Sequence, residues 1–181
     1  MVRRYLVEEN IEIPGDVDVS LDGRAVSVSG PLGRLERDFS YAPIDIELDG
    51  NKVTVGIKWP DKKGAAMVGT VRSHIRNMVK GVQKGYTYKL KTVFAHFPVS
   101  VKVEGNKVVI ENFGGERRPR SVFVDEKVKV NVEGDDIIVK GLDLEKVSQA
   151  ASIIEHATRI KKKDPRVFLD GIYVYEKLEG M

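Results

Sequence analysis

The sequence predicts an α+β protein made of two homologous units, each a set of antiparallel β-hairpins packed on one main helix. Three observations carry that prediction: runs that alternate apolar and polar residues, one amphipathic helical pattern in each half, and self-similarity between the halves.

Val17 to Gly23, VDVSLDG, is followed by a second alternating run from Ala25 to Ser29. Apolar residues at every second position suit a strand with one buried face, and the Asp-Gly between the runs tolerates the positive φ of a hairpin turn. Val99 to Gly105, VSVKVEG, with Lys107 to Glu111 behind it, repeats the pattern. The first hairpin leads into GPLGRLERDF, Gly30 to Phe39, and the second into NFGGERRPRSVF, Asn112 to Phe123, so that Gly33 matches Gly115. A further hairpin follows in each half, Ile44 to Ile57 and Val128 to Gly141.

Each half then turns helical. The first helix is expected from Lys62 to about Lys80, started by Pro60-Asp61 and stopped by Gly81, with Val68, Val71, Ile75 and Met78 on one face. The second is expected to start at an Asp143 N-cap and to end among Arg159 to Lys163, with Val147, Ala150, Ala151, Ile154 and Ala157 inward. Gly85 to Phe97, GYTYKLKTVFAHF, is strand-like and sits at the join, either starting the second unit or completing the first. The expected division is residues 1–82 and 83–181, with the main basic face on the second unit.

The 181 residues carry 30 Lys and Arg against 27 Asp and Glu, a net charge of only +3, so any nucleic-acid contact must come from local clustering of cations. The absence of cysteine excludes disulfides, thiolate zinc sites and cysteine nucleophiles. No segment approaches the roughly 20 apolar residues of a membrane span, and MVRRYLVEEN has no apolar signal core, so the chain reads as cytoplasmic, with no membrane partner.

Most motifs have structural explanations. DVDVSLDG, Asp16 to Gly23, has the alternating acids of a calcium loop but no Glu at the twelfth position, and its valines belong to a strand; no metal is expected. Phosphate-cradling glycine loops and hydrolase elbows are absent, which argues against a small-molecule substrate or cofactor. His74 and His156 fall at equivalent places in the two helices, as duplicated architecture would leave them. The aromatics Tyr86, Tyr88, Phe94, Phe97, Phe123, Phe168, Tyr173 and Tyr175 alternate within strand-like runs and are assigned mostly to the core, which favours a folded RNA over an unstacked strand.

Two basic clusters remain. ENFGGERRPR, Glu111 to Arg120, places two glycines before Arg117, Arg118 and Arg120 in a connection between strands. The glycines remove bulk where a polyanion could approach, and guanidinium forks match phosphate oxygens. The alternative is a solvated loop. RIKKKDPR, Arg159 to Arg166, follows the second helix; cations there complement the helix macrodipole, but the first helix ends in the milder MVKGVQKGY, so the asymmetry points to a basic face on the second unit.

KDPRVFLDGIYVYEK at Lys163 to Lys177, VSQAA at Val147 to Ala151, NFGGERRPR at Asn112 to Arg120, AHFP at Ala95 to Pro98 and NMVKGVQKGY at Asn77 to Tyr86 together resemble the L-six family of large-subunit ribosomal proteins, in its archaeal or eukaryotic form. The Tyr-Lys-Gly-Lys-Gly stretch of bacterial relatives is replaced by FLDGIYV, so bacterial contacts there do not transfer. The resemblance implies a non-enzymatic, rRNA-binding component of the large subunit in translation, docked near the sarcin–ricin loop and stalk base. Its partners would be large-subunit rRNA and neighbouring ribosomal proteins, with translation factors nearby. Carried over, Gly114, Gly115, Arg117, Arg118 and Arg120 in the loop, Arg159, Lys161, Lys162, Lys163 and Arg166 in the tail, and Gln149 nearby become RNA-contact candidates. Asp170, Gly171 and Tyr173 are carried as signature residues, although a turn and core packing also account for them. Two other classes stay open: a protein–protein adaptor built on exposed hairpins, and an enzyme using His96 or His156 with a nearby acid.

Overall fold

The computed structural model describes residues 5–160, 163–164 and 166–181. The chain forms two compact units, Met1–Lys84 and Gly85–Met181. In the first, β1 (Leu6–Glu12), β2 (Asp18–Asp22), β3 (Ala25–Gly30), β4 (Gly33–Asp38), β5 (Asp45–Asp49) and β6 (Lys52–Lys58) precede α1 (Lys62–Gln83). The second continues with β7 (Tyr86–Val93), β8 (Ser100–Glu104), β9 (Lys107–Glu111), β10 (Arg120–Phe123), β11 (Lys129–Glu133), β12 (Asp136–Gly141), α2 (Leu144–Ala157) and β13 (Gly171–Glu179).

The α+β fold and its duplication are as expected from the sequence. Each unit has a three-stranded meander, β2-β3-β4 or β8-β9-β10, and a second antiparallel sheet, β1-β6-β5 in one and β11-β12-β7-β13 in the other. The join segment becomes β7, which occupies the place that β1 has in the first unit and pairs on its free side with β13. The first core gathers Val26 and Val28 from β3, Val53 and Val55 from β6, Phe39, and Val68, Val71 and Ile75 from α1. The second gathers Leu90, Val108, Ile110, Ile137, Val139, Ile154 and Ile172, with Phe113 from the arginine loop closing one end.

Both helix ends differ from the sequence expectation. Helix α1 passes through Gly81 to Gln83, because the apolar stripe continues: Val82 is fully buried and its carbonyl accepts the Leu32 N–H at 3.0 Å. The stop is Gly85, at φ +74°, after Lys84 closes the last turn on Lys80 and Gly81 carbonyls. Helix α2 starts as expected, with the Asp143 carboxylate accepting from the Glu145 N–H, but ends at Ala157. The buried Thr158 stops it, returning its hydroxyl to Glu155 O at 3.0 Å and accepting the Ile172 N–H at 2.9 Å. Arg159 and Lys163 therefore lie beyond the helix, so complementing its macrodipole from within the last turn is not their role.

The aromatic assignment is also corrected. Tyr86 is buried at 3% exposure, but Phe94, Phe97, Phe123, Tyr173 and Tyr175 are all exposed, because they occupy loops or outward strand positions.

Close helix–sheet packing depends on small residues. A Cβ on Gly141, at the end of β12, would lie 2.8 Å from Val147 Cγ2 in α2, whereas one on Gly69, on the open face of α1, meets nothing within 4 Å. Gly141→Ala is expected to lower stability by about 1–3 kcal/mol through overpacking. Gly69→Ala is expected to raise it by about 0.5–1 kcal/mol through helix propensity. Shifts of the denaturation midpoint in opposite directions test this pair.

Candidate nucleic-acid interface

In the first unit, residues 31–32 alone connect β3 to β4, with Gly30 paired to Gly33. In the second, residues 112–119 fill the equivalent connection between β9 and β10. Asn112 (φ 56°), Gly114 (φ 61°) and Gly115 (φ 76°) all take the left-handed conformation around a single 3₁₀ turn, Phe113–Gly115, which explains the paired glycines. The two glycines differ, since a Cβ on Gly115 would lie 3.1 Å from the Phe97 ring, while Gly114 borders open space. The Asn112 side chain donates to Pro98 O at 2.9 Å and fixes the loop base.

Arg120 anchors the loop. Its Nε donates to Glu116 Oε2 at 2.9 Å and its Nη2 to Glu116 Oε1, while Nη1 donates to Ala157 O at 2.7 Å. The guanidinium carbon lies 4.6 Å from the centroid of the Phe113 ring. One half-buried cation thus joins the loop tip, the core plug and the C-terminal end of α2, where a positive charge also suits the helix dipole. The hydrogen bonds from Arg120 hold the Glu116 carboxyl below its usual range. Arg120 is therefore placed as a positioning residue, unlike Arg117 and Arg118, which are exposed and have no hydrogen bond or ion pair among the described residues.

The tail arrives at the same place. Gly114, Arg120, His156, Arg159, Lys163 and Phe168 line one cleft of about 520 Å³. Arg159 is exposed, and its side chain has no polar partner among the described residues. Lys163 Nζ stands 3.9 Å from the centroid of the Phe168 ring, and that ring stacks on His96 at 4.4 Å. Arg166 is engaged by Asp164 through two guanidinium nitrogens at 3.1 and 3.2 Å, and those bonds lower the Asp164 pKa. Lys161 and Lys162 lie outside the described residues. Gln149 is exposed on the outer face of α2 and shares a shallow depression with Ser152 and His156, so its surface meets the cleft through His156. His156 Nδ1 lies 2.8 Å from Ser152 O and, because a carbonyl can only accept, carries the proton.

Several participants were not picked out as site residues in the sequence. Glu116 stands four residues before Arg120, a spacing associated with helices and easily passed over in a loop. Phe113 and Phe168 look like ordinary core residues in the pattern. Asp170 is 2% exposed and accepts the Ala95 N–H at 3.1 Å, the His96 N–H at 3.3 Å and the His96 ring Nδ1–H at 3.0 Å, tying the segment after β7 to the start of β13. Its role is to hold His96 against Phe168. Gly171 is buried, and the Tyr173 hydroxyl donates to Leu169 O at 3.1 Å, shaping the turn into β13.

The fold and site define a duplicated α+β scaffold whose second unit has a cleft lined by Phe113, Phe168, Arg159 and Lys163 beside a loop with two exposed, unpaired arginines. Comparison with known proteins is specific. The family model described as Ribosomal protein L6 matches residues 13–85 and 97–171. The large ribosomal subunit protein uL6 of Aeropyrum pernix is 50% identical over 178 residues, covering 98% of each chain. That of Desulfurococcus amylolyticus is 50% identical over 184 residues, covering 100% of each, and that of Archaeoglobus fulgidus is 45% identical over 175 residues, covering 94% of this chain and 89% of the relative. The chain belongs to the ribosomal protein L6 family, as a structural component of the ribosome rather than an enzyme.

Burial alone would raise the Asp170 pKa, but the His96 ring and the two backbone N–H donors outweigh it and leave it lowered. With the folded value below the unfolded one, the contribution is complete above the ordinary carboxylate pKa of about 4 and is lost as pH falls through the folded value. Asp170→Asn is expected to cost about 1–3 kcal/mol at neutral pH. The gap between variant and wild type should close below about pH 4 in denaturant titrations.

Proposed function

We propose that this L6-family chain binds folded large-subunit rRNA through the cleft of its second unit, near the sarcin–ricin loop and stalk base, as a cytoplasmic structural component used in translation. One observation carries the reading: the arginine loop, through Gly114 and Arg120, and the basic tail, through Arg159 and Lys163, meet at one cleft, while Arg159 and the loop's exposed Arg117 and Arg118 have no internal counter-charge among the described residues. Leaving several cations unpaired in one place has no stabilising role of its own and suits a row of phosphates, whose counterions are released on binding.

The geometry supports a division of labour. On this reading Arg117, Arg118, Arg159 and Lys163 contact phosphates, Arg166 and Gln149 stand near them, and Lys161 and Lys162, which lie outside the described residues, are candidates from the sequence alone. Arg120 and Glu116 set the loop conformation, and Gly114 and Gly115 let the backbone approach. Phosphate contacts position such a protein, and recognition is mainly of RNA shape. Neighbouring ribosomal proteins near the stalk base are further partners on this reading, and translation factors work close by.

The test is a salt series of full-length protein binding to an rRNA fragment containing the sarcin–ricin stem, against an unrelated stem-loop. Arg117→Ala with Arg118→Ala should weaken binding at low salt and flatten the log–log salt slope by up to about two units, about one per lost phosphate contact. Stability should change by less than about 0.5 kcal/mol, since neither side chain is buried or paired. An unchanged slope removes the loop from the interface, and equal affinity for both RNAs removes the sarcin–ricin assignment.

A further inference from the structure

The first unit has a surface feature that the cleft does not explain. Trp59 is 74% exposed and Tyr5 is 59% exposed. The two rings meet edge to face, with centroids 5.3 Å apart and planes at 62°, and the Trp59 backbone N–H donates to the Tyr5 backbone carbonyl at 2.8 Å. Trp59 also has φ +53°, a left-handed conformation that glycine or asparagine adopts far more readily than a bulky aromatic. Neither burial nor backbone preference therefore accounts for an indole at this position.

Its surroundings are cationic. Lys58, Lys62 and Lys63 are exposed and have no hydrogen bond or ion pair among the described residues. Asp61, the acid within this stretch, is occupied as the cap of α1, accepting the Gly64 N–H at 2.6 Å. Lys62 and Lys63 stand in the first turn of that helix, which contains no acid, although acids are the residues favoured there. Helix stability thus fails to explain the lysines as it fails to explain the tryptophan.

We infer that Trp59, held on edge by Tyr5, seats an unstacked nucleobase of a single-stranded RNA segment while Lys58, Lys62 and Lys63 contact its phosphates. An indole offers a face and no base-specific hydrogen bonds at that face, so it accepts any base, but only one whose own face is free. A base-paired stem keeps its faces stacked and is excluded. Three lysines, with the Asp61 carboxylate of the same stretch engaged, match a polyanion better than an apolar protein face.

Trp59 is the single tryptophan of the chain, so its fluorescence reports this site alone. A short single-stranded oligoadenylate added to the full chain should quench it saturably, and a fully paired RNA hairpin should not. Lys58→Ala, Lys62→Ala and Lys63→Ala combined should weaken the quench midpoint by roughly tenfold or more and flatten its salt slope by about two, at about 0.7 per phosphate for a single strand. Arg117→Ala with Arg118→Ala should leave the midpoint unchanged, which separates this site from the cleft. In that double variant, Trp59→Gly, which suits the observed φ, should lower affinity for labelled oligoadenylate by roughly tenfold. Equal quenching by the hairpin, a midpoint indifferent to the lysines, or an emission change that tracks protein concentration without RNA would overturn the inference, the last pointing to a second copy of the chain.

Discussion

The proposed interface of the second unit depends on one side chain whose charge is spent internally. Arg120 binds Glu116 through two nitrogens and the Ala157 carbonyl through a third, with its plane near the buried Phe113 ring. A loop containing three left-handed residues has many alternatives to its observed path, and ordering it has an entropic cost. The guanidinium offsets that cost with a set of charge-assisted bonds in fixed geometry. A lysine would retain the charge but lose the fork. With Arg120 bonded to the end of α2, the loop that carries Arg117 and Arg118 is tied to the helix that the tail follows.

The duplication shows how this device was fitted to an existing plan. In the first unit the β3–β4 turn also bonds to the end of its helix, through the Leu32 N–H on Val82 O. The second unit keeps a link from the same connection to the helix C-terminus, but transfers it from a backbone amide to the Arg120 side chain and lengthens the loop between. The scaffold is repeated, and the proposed RNA contacts lie where the copies differ. A similar contrast holds after the helices. The first chain segment passes through Gly85 directly into β7, while Thr158 stops α2 and leaves a long basic connection before β13.

The fold was legible because its signals are periodic. Alternation along the hairpins, the Asp61 and Asp143 caps and the repeat itself all identify elements from neighbours in sequence. The ends of α1 and α2 were less so, because Val82 and Thr158 act through burial and long-range bonds. Composition revealed the two basic clusters but could not distinguish exposed Arg117 from anchored Arg120, since that difference lies in a contact with Ala157 across the unit. Asp170 looked like a turn residue, and its three bonds to Ala95 and His96 exist only after β7 and β13 pair. Outward aromatics alternate as regularly as inward ones, so periodicity could not say which face of a strand would be covered.

The central claim, that Arg120 and Glu116 shape the interface rather than add charge to it, is tested most directly by Glu116→Ala. That change removes a negative charge from beside the basic cluster, so bulk electrostatics alone would tighten RNA binding. If the anchored loop is what presents Arg117 and Arg118, affinity for the sarcin–ricin fragment should instead fall by roughly tenfold, the worth of one well-formed contact of about 1–3 kcal/mol. Unchanged or tighter binding would contradict the account.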